Sequence, residues 1–134
     1  MFLLQVVLAL ANLAGESPIS RDLVLRHGAL MPLLSQIRKD AKLSMLISAT
    51  WALSNFYRGN PRPPFEQMKL ALPALKFLVD YDDEKVLAYS CCALSYMYGG
   101  MNYEIQAVID ADICEHLLEL IMDVVLHYGH VFFA

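Results

Sequence analysis

One motif occurs three times along the chain at nearly constant spacing. The stretches Leu8-Ala9-Leu10-Ala11-Asn12-Leu13-Ala14-Gly15, Trp51-Ala52-Leu53-Ser54-Asn55-Phe56-Tyr57-Arg58-Gly59 and Cys92-Ala93-Leu94-Ser95-Tyr96-Met97-Tyr98-Gly99-Gly100 superpose from residues 8, 51 and 92, spacings of 43 and 41. A second set, Gly28-Ala29-Leu30-Met31-Pro32-Leu33-Leu34, Leu70-Ala71-Leu72-Pro73-Ala74-Leu75 and Asp112-Ile113-Cys114-Glu115-His116-Leu117, starts at 28, 70 and 112, a spacing of 42 each time. Two independent registers thus share one period. A chain built this way stacks similar units, because one unit of that length cannot bury its apolar face alone.

Within a period the signals are helical. Alternating Val/Ile/Thr runs and Asn-Gly or Asp-Gly hairpin turns are missing from the sequence. One unit predicts a short helix over about 20–26, a second over 29–37 and a long third over 41–57, which ends at Arg58-Gly59-Asn60-Pro61-Arg62-Pro63-Pro64. The next unit runs over about 65–97. Its third helix opens after Asp82-Asp83-Glu84, acids well placed against a helix N-terminus. A last pair covers about 103–125. Three helices per period favour armadillo over HEAT repeats. The expected fold is all-α: a single armadillo-repeat superhelical solenoid over 1–134, with about three repeats, incomplete at both ends. Its parts are a partial repeat over 1–16, repeats over about 17–59 and 60–100, a partial repeat over 101–125 and an unmatched tail over 121–134.

Composition narrows the function. The chain is 57% hydrophobic and 18% charged, richer in apolar residues than an average soluble domain, as suits units buried from several sides. A formal charge of −4 without any basic run makes nucleic acid an unsuitable partner. Cys91, Cys92 and Cys114 form no disulfide framework, and the adjacent pair lacks the C-x-x-C spacing of a zinc site. A reducing compartment, and neither metal nor cofactor, is expected. The sequence also shows no Ser/His/Asp or Cys/His constellation and no phosphate-binding glycine loop, so an enzyme is not expected. The apolar start, Met1 to Ala11, resembles a secretory signal core, but no Lys or Arg precedes its apolar run, Gln5 interrupts it and Asn12-Leu13-Ala14-Gly15 continues the repeat. It is also too short to span a bilayer, which takes about 20 residues.

The chain's one tryptophan is oddly placed. On a helix, Trp51 falls with Ser44, Ser48, Asn55 and Arg58, opposite a core-like side of Met45, Leu46, Ala49, Leu53 and Phe56. The largest apolar side chain therefore sits on the polar stripe. The plain alternative is a core tryptophan at a helix–helix contact.

The stretches RDLVLRHGALMPLLSQ, SATWALSNFYRG followed by PPFEQ, DDEKVLAYSCCALSY and EIQAVIDADIC resemble the armadillo repeats of importin alpha, the adaptor for nuclear localisation signals. The resemblance covers about residues 5–120. It implies that the third helices line a concave groove, where tryptophans form slots for lysine and arginine stems and asparagines hold the cargo backbone. The cargo-binding set it implies is Trp51, Asn55, Asn12, Glu16, Ser48, Arg58 and Tyr96. An indole face attracts a cation and packs its methylenes, and an amide serves a peptide bond as donor and acceptor.

The flanking repeats depart from the family pattern. Leu8 and Cys92 stand where the family has tryptophan, Glu16 where it has aspartate, Lys85 and Tyr89 where it has acids, and Gly99 where an aspartate is usual. The resemblance therefore implies a weakened groove for basic cargo peptides, or an armadillo scaffold with another partner. It also implies residence in cytoplasm and nucleus. The basic arm that recruits importin beta has no counterpart in the sequence. Pro61-Arg62-Pro63-Pro64 fits P-x-x-P but suits a loop between repeats, and His127 and His130 fall in the unmatched tail. The apolar ends, Phe2, Leu3, Leu4, Val6 and Val7 at one side and Val131, Phe132 and Phe133 at the other, predict self-association.

Overall fold

The computed structural model describes the backbone of residues 2–97 and 102–133 and the side chains of 2–97 and 103–123. Gly99, and the side chains of His127, His130, Val131, Phe132 and Phe133, lie outside the described residues. The described residues form nine α-helices and one 3-10 turn, with no strand among them.

Helix α1 covers Phe2–Glu16 and α2 covers Pro18–Arg26. Ser17 separates them by capping α2: its hydroxyl accepts from the Ser20 amide at 3.1 Å, and Pro18 takes the first turn, where no backbone donor is needed. Gly28, at φ +80°, ends that helix in a conformation that disfavours a side chain. Helix α3, Leu30–Leu34, is shorter than the expected 29–37, because the chain tightens into turns from Ser35, whose hydroxyl donates to the Pro32 carbonyl at 2.6 Å.

Helix α4 covers Leu43–Tyr57 and stops at Gly59, φ +89°. The next unit holds α5 (Phe65–Met68), a 3-10 turn (Lys69–Ala71), α6 (Leu72–Val79) and α7 (Glu84–Met97). Asp83 caps α7, its carboxylate accepting from the Val86 amide at 3.0 Å, so the acidic run sits where its charge opposes the helix dipole. Helix α8 is Asn102–Asp110, and α9 is Ile113–Phe133. The helix of the last pair thus extends past the expected end near 125 and through most of the unmatched tail. That tail carries no proline, and Gly129 alone costs a helix only about 1 kcal/mol.

The long helices α1, α4 and α7 stack in a row, with α4 in the middle. Nine of the fifteen residues of α4 are buried. Leu46, Ala49, Leu53 and Phe56 are fully buried, as the apolar side of the helix predicted, each large side chain contributing about 1.5–3 kcal/mol. Thr50, Ala52, Ser54 and Tyr57, on the remaining flank, are buried as well, because α4 has a neighbour on each side. Thr50 returns its hydroxyl to the Leu46 carbonyl at 2.5 Å, and Tyr57 reaches the Met68 carbonyl at 2.9 Å, so these polar atoms enter the core satisfied.

Two arginines fasten the units. Arg21, fully buried, donates to the Arg58 carbonyl at 2.6 Å, to the Gly59 carbonyl at 3.3 Å and to the Pro61 carbonyl, with Asp22 beside it at 2.9 Å. It binds the first helix of its unit to the end of the third. Arg62, 41 residues on, donates to the Met97 carbonyl at 2.5 Å at the end of α7 and pairs with the buried Glu104 of α8 at 3.2 Å. The guanidinium fork suits such work because it serves several acceptors at once.

Candidate groove along the third helices

Around α4 one strip stays open. Ser44 is exposed on it, Ser48 and Trp51 are partly exposed, and Arg58 is exposed at its end. Trp51 rests against the core at one edge without being enclosed. The tryptophan on the polar stripe is therefore neither a buried core residue nor a free surface residue. Its indole forms a wall.

That wall belongs to a shallow recess of about 200 Å³ between α1 and α4, lined by Ala11, Asn12, Gly15 and Glu16 from the first helix and Trp51, Asn55 and Arg58 from the second. The fold thus brings together five of the seven expected site residues. Asn12 and Glu16, one turn apart on α1, are exposed at its edge. Ser48 lies one turn before Trp51 on the same helix and is not part of the lining. Tyr96 is on α7, partly buried against the core, away from this recess.

Asn55 forms the floor. It is only 6% exposed, and its side-chain amide donates to the Ala11 carbonyl at 2.9 Å. One amide proton is therefore spent on holding α4 to α1, leaving the second proton and the carbonyl oxygen for other work. Sequence reasoning missed why Gly15 is there. A side chain begun at Gly15 would stand 2.8 Å from the Asn55 amide nitrogen, so the glycine permits the close approach. A glycine inside a helical pattern, one turn after Ala11, was the available signal.

The recess is chemically two-sided, with the Glu16 carboxylate and the Arg58 guanidinium both at its lining. On α7 the corresponding strip differs. Lys85 and Cys92 are exposed, and Tyr89 and Tyr96 are partly so. Partial burial, and then the neighbouring Cys92, push the Cys91 thiol up from its ordinary value, which keeps it a thiol and a poor nucleophile. Among the described residues no group of three His, Cys, Asp or Glu side chains stands close enough to hold a metal ion. Among them also, no helix is long and apolar enough to cross a membrane.

Short helices in threes, long third helices in a row and an open strip along that row define an armadillo-repeat solenoid. Solved structures agree. One designed armadillo repeat protein matches with a TM-score of 0.78 and 27% identity over 90% of this chain and 51% of its own. Another, solved in complex with the peptide (KR)4, matches with a TM-score of 0.77 and 29% identity over 88% of this chain and 49% of its own. No family model matches the chain. Its sequence is nevertheless 57% identical over 117 residues, 87% of the chain, to importin subunit alpha-2 of Arabidopsis thaliana. It is 56% identical over 118 residues, 88% of the chain, to importin subunit alpha-1b of Oryza sativa subsp. japonica. The chain belongs to the importin alpha family, and it spans about a fifth of these relatives' length, 22% of each.

Proposed function

We propose that the chain binds an extended, lysine- or arginine-rich peptide, of the kind that forms a nuclear localisation signal, along the open strip of α1, α4 and α7. The carrying observation is the recess that gathers Asn12, Glu16, Trp51, Asn55 and Arg58. In it a basic side chain lays its methylenes along the Trp51 ring, its charge drawn to the ring face and to Glu16. The free amide atoms of Asn55 and Asn12 take up the peptide backbone, and Arg58 donates to its carbonyls. The match to a designed solenoid solved with (KR)4 supports the same class of ligand.

The grip is weak. Leu8 and Cys92 offer no aromatic face, and each absent slot removes about 0.5–2 kcal/mol. Two absent slots lower affinity by about 5- to 1000-fold, and the exposed Lys85 repels the same cargo. Membership of the importin alpha family supports nuclear import, with residence in cytoplasm and nucleus, as the process such binding would serve.

The test is a titration of the chain with a lysine-rich localisation peptide, followed by Trp51 fluorescence. A Trp51→Ala control is read through a label on the peptide. Saturable, salt-sensitive binding that the control loses supports the reading. Absence of binding by a folded chain overturns it and leaves an armadillo scaffold for another partner, the role that Lys85 and Cys92 on the α7 strip favour.

A further inference from the structure

The open strip changes its charge along the row. Between α1 and α4 its carboxylate is Glu16, which lines the recess beside Trp51. On α7 its charged group is Lys85, exposed in the first turn and followed along the same face by Tyr89, Cys92 and Tyr96, none of them an acid. Lys69 and Lys76 pair with Glu66 and Asp112, whereas Lys85 has no ion pair among the described residues. Of the acids just before it, Asp83 is taken up by the Val86 amide, and Glu84 points about 100° away round the helix.

The position is open for a reason built into the unit. One period of 41 residues earlier it is held by Ser44 on α4, and Ser44 is exposed although α4 has a long helix packed on each side. Tyr89 corresponds in the same way to Ser48, and both are partly exposed. Lys85 therefore stands on a face that the packing of third helices leaves free. The Tyr89 phenol, one turn further along that face, adds a hydroxyl donor to the ammonium.

Distance and direction fit one extended peptide. Packed helices lie about 8–10 Å apart and an extended chain advances about 3.3 Å per residue, so crossing from Trp51 on α4 to α7 takes about three residues. Successive side chains of an extended chain point to opposite sides, so the third one on faces away from the first. The site requires that reversal. The recess lies toward the C-terminal ends of α1 and α4, where Gly15, Glu16 and Arg58 are. Helix α7 holds the same place in the next unit and runs the same way, and Lys85 stands at its start, two turns or about 10 Å before Cys92. The lysine stem and a glutamate side chain together cover that distance.

We infer that the α7 end of the strip takes a carboxylate: the preferred peptide carries a lysine or arginine for the Trp51 recess and, about three residues away, a glutamate or aspartate that meets Lys85. The inference rests on the peptide binding proposed above and narrows its ligand from a basic peptide to one of mixed charge. The net charge of −4 favours the opposite, a peptide basic throughout, so a preference for an acid at this place is local in origin.

The experiment titrates the full chain with three capped peptides, followed by Trp51 fluorescence. Each has three central lysines, flanked on either side by a serine and then by a variable residue, glutamate, glutamine or lysine. The series reads the same whichever way the peptide runs. The glutamate peptide is expected to bind tightest, about 2- to 5-fold tighter than the glutamine peptide, and Lys85→Glu to make the lysine peptide the tightest instead. That substitution puts a good helix former and an acid in an exposed first turn, and circular dichroism checks that the variant folds. Trp51→Ala, read through a label on the peptide, separates the recess from Lys85: loss of all three peptides there shows the recess at work, whatever their order in the wild type. If the recess binds but the wild type does not rank glutamate above glutamine, or if Lys85→Glu keeps the glutamate preference, the inference is overturned and the recess stands. If the folded chain binds none of the three, both fall.

Discussion

The Asn55 side-chain amide lies 2.9 Å from the Ala11 carbonyl oxygen, so a residue expected to serve a ligand is also a fastener between α1 and α4. Gly15 makes room for it. Gly15→Ala gains about 1 kcal/mol of helix propensity but drives its methyl into the Asn55 amide. Losing that buried hydrogen bond costs about 1–3 kcal/mol. The expected net outcome is a chain less stable by about 1 kcal/mol that also binds basic peptide less well, checked by urea unfolding and peptide titration.

Arg21 is fully buried and satisfies carbonyls at the end of α4 and in the following turn. Arg21→Met keeps the volume and removes the donors, and is expected to destabilise by about 1–3 kcal/mol. Arg21→Lys recovers little of this, because one ammonium cannot span the acceptors that the fork reaches. Urea midpoints for the two variants decide the matter, with near wild-type stability of the lysine variant as the contrary result.

Burial raises the Tyr57 phenol well above its ordinary value, so the folded chain keeps a proton that the unfolded chain gives up near pH 10. The contribution is fully present below that pH. Above it the unfolded state binds fewer protons, so stability falls by about 1.4 kcal/mol per pH unit from this group. Tyr57→Phe forfeits the bond to Met68, about 1 kcal/mol at neutral pH, and flattens the alkaline slope by that one proton. Unfolding curves for both proteins between neutral and strongly alkaline pH measure the difference in slope.

Cys92 is exposed on α7 at the position where the repeat register places the counterpart of Trp51. Cys92→Trp therefore adds an aromatic face to the strip without disturbing the core. It is expected to tighten binding of a lysine-rich peptide by about 0.5–2 kcal/mol, or roughly 2- to 30-fold. Calorimetric titration of the variant beside the parent measures it, and an unchanged affinity would mean that the peptide does not reach α7.

The period of about 42 residues was legible in sequence because it is written in small apolar residues that the packing needs, such as Ala52 and Ala93. So were the stop at Gly59 and the acids at the start of α7, each a local matter of backbone geometry or charge. What one helix wheel could not give was the second buried flank of α4. Thr50, Ser54 and Tyr57 are buried by elements outside α4, and their polar atoms make them look like surface. The same holds for Asn55 and Gly15, whose meeting depends on how α1 lies against α4. Arg21 reads as a solvated charge until the carbonyls at 58, 59 and 61 are brought to it by the fold. The length of α9 was missed for a simpler reason: mismatch to a repeat is no evidence against helix.

Arg62 sits where one unit hands over to the next, and Arg21 closes its own unit onto the loop that leaves it. A rod of stacked elements ordinarily bends at its joints, and here the joints are the stitched places. Bending must therefore be shared out as slight sliding of helix on helix along the whole row.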